Sequence, residues 1–330
     1  MSVPPRSGLA PSGPQAGDPP KSVLVLGGTG FIGRAIVRNF LDTDACVRAV
    51  ARSSRTEASL GLSPSPSLEL IEGDAADPVV LEAVLEGIDR VVYAVGQSLP
   101  RESNQHPAHD VVAALPPLLA LLEALRHAEG VALTYLSSGG TVYGNPAALP
   151  VAESAPCEPI TGYGITKLAA EKYIGMYARL HGIESTILRV SNAYGPGQVP
   201  GRSQGVVASL MDCIVRGDVA SLYGDSIRDY VYVDDLASAV VQLSRMQTPL
   251  VVNLGSGVGH TLGEVVRAVE SAAGSRLRRE QLPAREFDVR EIVLDVSRLG
   301  SLIPWSPRSL EAGVLETWSV FGAAPRAANG

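Results

Sequence analysis

The chain has 330 residues, of which 45% are apolar and 18% are charged, and this length can bury one large α/β domain or a large and a small one. Its formal net charge of −7 argues against nucleic acid as the main partner, because phosphate binding needs clustered lysines and arginines. No run of 18 apolar residues is present, so the sequence predicts no membrane span.

The first 20 residues are rich in proline, glycine and serine and lack the apolar stretch of a signal peptide. We therefore expect residues 1–20 to be a disordered tail on a cytoplasmic protein. The three cysteines, Cys46, Cys157 and Cys213, lie far apart and form no CxxC pair. This spacing favours buried thiols in a reducing compartment over a disulfide framework, and it predicts no metal site.

The segment VLVLGGTGFIG, residues 23–33, joins a short apolar run to three glycines and to the start of a helical pattern. Gly27 permits a tight turn, Gly30 lets the backbone approach a phosphate, and Gly33 lets the helix pack on the strand. The segment therefore predicts a strand, a turn and a helix N-terminus that bind the pyrophosphate of a dinucleotide.

Strand and helix patterns alternate up to residue 192. Predicted strands cover residues 23–26, 47–51, 68–71, 90–94, 131–136 and 185–190. Predicted helices cover residues 34–41, 77–85, 109–127 and 161–181, with Asp77 as an N-cap and with a kink or a break at Pro116 and Pro117. This alternation predicts an α/β fold with a doubly wound parallel sheet of the Rossmann type, and ligands gather outside the carboxyl ends of such strands.

The pattern changes after Asn192. Loops surround a helix near residues 205–216, residues 229–241 suggest a return to the sheet, and residues 256–320 combine helices with short strands. We expect residues 21–192 plus 228–255 to form the dinucleotide-binding domain. Residues 193–227 plus 256–320 would form a smaller, discontinuous α/β substrate-binding domain.

Tyr163 and Lys167 form a Y-x-x-x-K pair on a predicted helix, and this spacing puts both side chains on one face, roughly 6 Å apart. An unperturbed tyrosine has a pKa near ~10, so only about one in 10³ is ionised at pH 7. A neighbouring ammonium group favours the phenolate, which makes the pair usable for acid–base chemistry at neutral pH.

Six motifs occur in order along residues 22–320: the glycine loop, Gly73-Asp74, SSGGTVYG, YGITK, RVSNAYGP and RDYVYVDDLA. In this set the chain resembles the extended short-chain dehydrogenase/reductase family. Within that family it is most similar to the NAD-dependent nucleotide-sugar epimerases and dehydratases, above all the UDP-galactose (UDP-glucose) 4-epimerases.

The resemblance implies NAD as the cofactor. Asp74 would accept a hydrogen bond from the adenine amino group, and Lys167 would hold the nicotinamide ribose. The complete set of implied cofactor-binding residues is Gly27, Gly30, Phe31, Ile32, Gly33, Arg52, Asp74, Ala75, Ala94, Tyr163 and Lys167.

The resemblance also implies the catalytic and substrate-binding residues. Tyr163 would be the acid–base, with Lys167 beside it. Asn192 and Arg228 would contact the nucleoside diphosphate of the substrate, and Arg285 would bind the diphosphate as well, since a guanidinium fork suits phosphate geometry. A homodimer is implied too, in which helices near residues 110–127 and 163–181 pack into a four-helix bundle.

The chain departs from the family pattern at the catalytic hydroxyl. The family places a Ser or Thr four residues before the Tyr of VYG, and this position is Gly139 here. Ser138 or Thr141 would then supply the hydroxyl.

Other departures concern the cofactor and the sugar. The Asp that usually ends the second strand is Ala51, followed by Arg52, which leaves NADP open because no carboxylate repels a 2′-phosphate. The family's helix Asn is Ala114, and a Lys of the galactose enzyme is Ser98, a further implied substrate-binding position.

Gly140 and Thr141 occupy the positions where sugar dehydratases and decarboxylases carry carboxylates, so these two reactions are disfavoured. The sequence favours a 4-epimerase of a UDP- or dTDP-hexose, which oxidises sugar C4 transiently and returns hydride to the opposite face. One alternative is an NADPH-dependent 4-ketoreductase of a nucleotide deoxysugar, favoured by Ala51 and Arg52. A second is a non-catalytic dinucleotide-binding protein, suggested by Gly139.

Overall fold

The computed structural model describes residues 17–52, 56–96, 100–200, 205–246, 250–285 and 288–321. Residues 1–16 of the expected tail lie outside this part of the chain. The last four tail residues are described, and the Gly17 amide donates a 2.8 Å hydrogen bond to the Arg245 carbonyl. This hydrogen bond joins the start of the described chain to the segment that follows the helix Val233–Leu243.

The strands and helices alternate along most of the chain. In the described residues the strands are β1 (Ser22–Leu26), β2 (Cys46–Ala51), β3 (Leu68–Glu72), β4 (Arg90–Tyr93), β5 (Ala132–Ser138), β6 (Ser185–Val190), β7 (Asn192–Tyr194), β8 (Ala220–Tyr223), β9 (Ile227–Tyr232), β10 (Leu250–Leu254), β11 (Gly259–Thr261), β12 (Arg279–Leu282) and β13 (Glu291–Ile292). The helices are α1 (Phe31–Leu41), α2 (Pro78–Leu85), α3 (Pro100–Gln105), α4 (Pro107–Leu125), α5 (Gly139–Val142), α6 (Gly162–His181), α7 (Val206–Arg216), α8 (Val233–Leu243), α9 (Leu262–Ala273), α10 (Ser297–Leu302) and α11 (Leu310–Phe321).

The main sheet has seven parallel strands in the order β10-β6-β5-β4-β1-β2-β3, which confirms the predicted doubly wound architecture. Alternate residues of β1 pack into two hydrophobic cores, one on each face of the main sheet. Val23 and Val25 pack under α1 and α8, whereas Leu24 and Leu26 pack under α2, α4 and α6. Both faces of the sheet are covered, and for this reason its strands read as continuous apolar runs.

Helix α4 differs from its prediction. It runs through Pro116 and Pro117 without ending, and it begins at Pro107. By length and composition alone α4 could cross a membrane, with a mean hydropathy of 1.5 over its most apolar stretch. Its buried leucines, however, lie in the core that covers the main sheet, and we interpret it as a core helix. Helices α3 and α5 were not predicted.

Helix α2 agrees closely with its prediction, since the Asp77 carboxylate caps it by accepting a 2.9 Å hydrogen bond from the Val79 amide.

The cysteines agree less well with their prediction. All three are free thiols, but Cys46 is exposed at the start of β2, and Cys157 and Cys213 are only half-buried. The expectation of three buried thiols was therefore wrong, because the first residue of β2 lies outside the covered part of the sheet.

The second unit is built on a small sheet in which β9 pairs with β7, β11 and β13, while β8 and β12 form a separate parallel pair. The expected return of residues 229–241 to the main sheet is wrong, because β9 belongs to the small sheet and α8 follows it directly. The return comes later, at β10. Asp229, which is fully buried in β9, ties the unit together by accepting hydrogen bonds from the amides of Ser256, Gly257 and Leu294.

A buried ion pair joins α6 to the main sheet. The Arg189 guanidinium of β6 donates a 2.7 Å hydrogen bond to the Glu171 carboxylate of α6, which also accepts a 2.5 Å bond from the Ser137 hydroxyl of β5. Arg189 donates a second bond to the Tyr143 hydroxyl, which in turn donates to the Asn253 side chain of β10. The network therefore spans three strands and the helix.

We expect Arg189→Met to lower the free energy of unfolding by about 3–5 kcal/mol, because it leaves the Glu171 carboxylate buried and unpaired. Arg126→Met is the matched control, since Arg126 pairs with Glu123 in an exposed ion pair at the end of α4. An exposed pair of this kind contributes about 0–1 kcal/mol. Urea unfolding of both variants measures the difference, and equal losses would contradict the assignment.

Candidate active site

The glycine loop lies where β1 ends at the edge of the main sheet. Gly27 has a φ of +82°, and a Cβ built on it would lie 2.8 Å from the carbonyl carbon and oxygen of Ala94, just after β4. A Cβ on Gly33 would lie 2.0 Å from the Gly27 carbonyl oxygen. The turn therefore depends on glycine at both positions, as the sequence predicted.

The N-terminus of α1 faces the same edge. Its N-cap is Gly30, which has no side chain to cap the helix, so the first-turn amides of Phe31 and Ile32 have no capping side chain. Helix N-termini carry unsatisfied N–H groups and a partial positive charge, and they bind phosphate groups for this reason. The loop and the helix start thus fit the pyrophosphate of a dinucleotide.

Two further predicted residues follow neighbouring strands. Arg52 is exposed directly after β2, and Asp74 is exposed two residues after β3. The Asp74 carboxylate accepts a 2.9 Å hydrogen bond from the Ala76 amide across Ala75. These positions share the sheet edge with the glycine loop, so the structure places polar groups where an adenosine would follow the pyrophosphate.

Helix α6 begins beside this edge and carries Tyr163 in its first turn. Thr161 caps it by accepting from the Gly164 amide. Two side chains of α3 accept hydrogen bonds from the two preceding amides. The Asn104 side chain accepts from the Gly162 amide and the Ser103 hydroxyl accepts from the Tyr163 amide, each at 2.8 Å. The start of α6, and with it the backbone of Tyr163, is therefore fixed by three side chains.

Lys167 lies one turn further along α6. Its ammonium group donates a 2.9 Å hydrogen bond to the Leu136 carbonyl of β5 and lies 4.9 Å from the ring centroid of Tyr135 and 5.8 Å from that of Tyr163. Burial lowers the pKa of Lys167 to about 8, while the carboxylates of Glu171 and Asp110 act in the opposite direction.

The pKa of Tyr163 differs from the sequence expectation. Burial, followed by the charge of Asp110, raises the pKa of Tyr163 to about 12, and a hydrogen bond with Ser138 partly offsets this increase. The expected lowering by Lys167 is not seen, and the lysine donates its hydrogen bond to the Leu136 carbonyl. Local spacing brings the two side chains together, but burial determines the direction of the shift.

The structure separates the two candidate hydroxyls. Ser138, the last residue of β5, lies close enough to Tyr163 to lower the pKa of its phenol. The Thr141 hydroxyl is buried and has no hydrogen-bond partner among the described residues. A Cβ on Gly139 would lie 2.8 Å from the Arg189 carbonyl oxygen and 2.7 Å from a methyl group of Leu294. The position that lacks the hydroxyl therefore has no space for a side chain.

The predicted substrate-binding residues lie on the side of the small sheet. The side-chain amide of Asn192 donates a 3.0 Å hydrogen bond to the backbone carbonyl of Asp229 and borders Gly140. The Arg228 guanidinium donates to the carbonyls of Val289 and Arg290. Burial lowers the pKa of Arg228. This guanidinium is thus held by backbone groups.

Arg285 stacks on an aromatic ring. Its guanidinium carbon is 3.6 Å from the ring centroid of Tyr223 at the end of β8, which is a stacked cation–π contact. Ser98, the remaining implied substrate-binding residue, lies outside the described residues.

Sequence reasoning missed Asp110 of α4. It is 1% exposed and lines one pocket together with Tyr163 and Lys167. The available signal was a single acidic residue one turn before Ala114, within an otherwise apolar stretch. Ser103 was missed as well, because α3 has no hydrophobic periodicity.

Comparisons with known proteins agree with this geometry. The sequence profile of the "NAD dependent epimerase/dehydratase family" matches residues 23–255. A UDP-glucose 4-epimerase of Mycolicibacterium smegmatis is 30% identical over 308 residues, which cover 90% of this chain and 97% of that protein.

Two solved structures are similar over nearly their whole length. The UDP-glucose 4-epimerase of Thermus thermophilus in complex with NAD has a TM-score of 0.84 and 30% identity, and the match covers 92% of this chain and 100% of that one. The UDP-glucose 4-epimerase of Thermotoga maritima with UDP-glucose has a TM-score of 0.84 and 29% identity, with coverage of 91% and 98%.

We expect Gly139→Ser to destabilise the protein by about 1–3 kcal/mol, since its Cβ meets a backbone carbonyl and the core side chain of Leu294. Gly140→Ser is the matched control, because the nearest atoms to a Cβ there are 3.8 Å away. The control should change stability by less than about 1 kcal/mol. Thermal unfolding compares the two, and a tolerated Gly139→Ser would show that the space exists.

Proposed function

This chain belongs to the NAD-dependent epimerase/dehydratase family, and we propose that it is a 4-epimerase of a nucleotide sugar, a UDP- or dTDP-hexose. The observation that carries the proposal is the Lys167 ammonium group 5.8 Å from the ring centroid of Tyr163, with Ser138 near enough to lower the pKa of the phenol and no carboxylate in residues 137–144. This arrangement can move one proton at a sugar hydroxyl, and residues 137–144 supply no carboxylate for elimination or decarboxylation.

The residues at the sheet edge fit NAD. Gly27 and Gly33 form a turn that only glycine permits, and the uncapped start of α1 offers the amides of Phe31 and Ile32 to the pyrophosphate. Asp74 and Arg52 would hold the adenosine end. When bound, NAD supplies the hydride acceptor and donor that inversion at sugar C4 requires.

Tyr163 takes the proton from the sugar 4-hydroxyl. It returns a proton to the same oxygen after the 4-keto sugar has turned its opposite face toward the nicotinamide. Ser138 holds the phenol and the hydroxyl in line, and its hydrogen bond favours the phenolate. Lys167 keeps a positive charge beside the phenol and is itself positioned by the Leu136 carbonyl. Held geometry of this kind contributes much of the rate, because the reacting groups need no further orientation.

The diphosphate would lie between the main sheet and the small sheet. Asn192 lies in β7 and Arg228 lies in β9 of the small sheet. The hydrogen bonds from Arg228 to the carbonyls of Val289 and Arg290 hold its guanidinium in place. Arg285 stacks on Tyr223 and adds a second cation. Guanidinium groups suit the geometry of a diphosphate.

The alternative is an NADPH-dependent 4-ketoreductase of a nucleotide deoxysugar, which exposed Arg52 after β2 favours. The two reactions differ in what remains bound. An epimerase regains its cofactor in every turnover and has no need to release it, whereas a reductase must exchange its cofactor each time.

The deciding experiment is to denature the purified protein and identify the released nucleotide by mass spectrometry. Stoichiometric NAD, together with interconversion of UDP-glucose and UDP-galactose, supports the epimerase. A protein without NAD that consumes NADPH with a 4-keto sugar nucleotide would replace this proposal by the reductase.

The acid–base assignment predicts a ranking of variants. Tyr163→Phe should abolish turnover, and Ser138→Ala should lower kcat by about 10²-fold, in the range of single acid–base contributions. Thr141→Val removes a buried hydroxyl that has no partner among the described residues, and it should cost less than Ser138→Ala. Equal losses in the last two variants would reassign the hydroxyl.

We further propose a homodimer built on α4 and α6. Apolar side chains on these helices remain exposed, among them Val112 at 66%, Ile165 at 56% and Leu180 at 67%. Val112→Glu combined with Ile165→Glu should yield a monomer in sedimentation velocity. Val79→Glu on α2, where Val79 is 74% exposed, is the control and should leave the dimer intact.

We also propose that the enzyme is cytoplasmic. Its three cysteines are free thiols, and free thiols are typical of a reducing compartment.

A further inference from the structure

Two tyrosines of the main sheet lie beside the acid–base pair and have no role in the reaction proposed above. Tyr93 of β4 and Tyr135 of β5 are direct partners in the strand register. Their rings stack, with centroids 5.7 Å apart and an angle of 29° between the planes. Both residues are 3% exposed and line one pocket with Tyr163 and Lys167. A pair of buried rings therefore forms one wall of the candidate active site.

The ring of Tyr135 contacts the lysine directly. The Lys167 ammonium group lies over this ring, 4.9 Å from its centroid, and donates a 2.9 Å hydrogen bond to the Leu136 carbonyl. Tyr135 and Leu136 are consecutive residues of β5, so one strand supplies both contacts. A cation within about 6 Å of a ring centroid is attracted by the ring quadrupole, and this attraction increases when the site is desolvated.

The orientation of the Tyr135 ring is fixed by its surroundings. Tyr135 belongs to the hydrophobic core that covers one face of the main sheet, and Tyr93 stacks on it from the neighbouring strand. Stacked aromatic pairs of this kind contribute beyond the area that they bury. The ring therefore presents the same face to Lys167 without any rearrangement during a reaction.

Charged groups of several elements surround Lys167. Burial lowers the pKa of Lys167 to about 8, and the carboxylates of Glu171 on α6 and Asp110 on α4 act in the opposite direction. Glu171 is itself paired with Arg189 of β6. Glu102 of α3 is exposed, and α5 has no titratable side chain. The other titratable residues that line the pocket are three tyrosines, Tyr93, Tyr135 and Tyr163.

We propose that Tyr135 is a positioning residue, whose ring face, fixed by Tyr93, holds the Lys167 ammonium group in its charged form beside Tyr163. Tyr135 acts through Lys167. The kinetic consequence rests on the proposed function, whereas the effect of the ring on the lysine does not.

The lysine content of the chain allows a direct test. The sequence has three lysines, Lys21, Lys167 and Lys172, so isotopic labelling of the lysine Cε carbons gives three NMR signals. Lys21 and Lys172 are exposed and serve as internal references. Each signal is followed across pH in the protein as purified, and the spectrum of Lys167→Arg assigns the signal of Lys167.

Tyr135→Leu removes the ring from the ammonium group. The midpoint of the Lys167 titration should fall by about one pH unit, because the charged form loses the attraction of the ring. Tyr135→Phe is the matched control, since it keeps the ring face and removes the hydroxyl alone, and its midpoint should equal that of the wild type. An unchanged or raised midpoint in Tyr135→Leu, or equal falls in both variants, would overturn the proposal. Should Tyr135→Leu fail to fold, Tyr135→Met fills more of the space for the same measurement.

The second readout is the pH profile of kcat/KM for UDP-glucose in the holoenzyme. The alkaline limb falls as Lys167 loses its proton, so this limb should lie about one pH unit lower in Tyr135→Leu and return to the wild-type position in Tyr135→Phe. Lower activity at every pH with the limb in place would indicate lost packing alone and would overturn the proposal. A wild-type protein without epimerase activity would refute the proposed function, and the NMR titration would still decide the role of Tyr135.

Discussion

The buried ion pair between Glu171 and Arg189 is the constraint on which the site depends. Glu171 lies one turn after Lys167 on α6, so the pair holds the catalytic face of the helix against β5 and β6. Ser137 donates to the same carboxylate from the strand end that carries Ser138. The relative positions of Ser138, Tyr163 and Lys167 therefore follow from one satisfied polar network, and a buried pair of this kind is strongly destabilising once a single partner is removed.

Burial works against the acid–base role that we propose for Tyr163 and Lys167. Burial disfavours the charged form of each side chain, so it raises the pKa of Tyr163 and lowers that of Lys167. Fixed groups offset part of this cost: Ser138 bonds to the phenol, and Glu171 and Asp110 face the ammonium side. The electrostatics of the site are thus set by side chains from β5, α4 and α6 together.

Close backbone approaches determine where side chains can lie. Gly27 touches the end of β4, which keeps the pyrophosphate loop low on the sheet edge. Gly139 lies against β6 and Leu294, which leaves no space for a side chain at this position. In the small sheet, buried Asp229 accepts hydrogen bonds from the amides of two separate segments, residues 256–257 and Leu294, and so fixes β9 relative to the segment after β13. The glycine loop and the small sheet are each held in place by such contacts.

The sequence by itself determined the parallel sheet, the glycine loop and the Tyr163–Lys167 helix face, because these depend on periodicity and on spacing within one element. It also identified the N-cap at Asp77. Tertiary structure alone assigned β9 to the small sheet and carried α4 through its prolines. It also placed Asp110 beside Lys167, although the two residues lie on different helices and far apart in the chain. These features depend on burial and on contacts between distant segments, which no local pattern encodes.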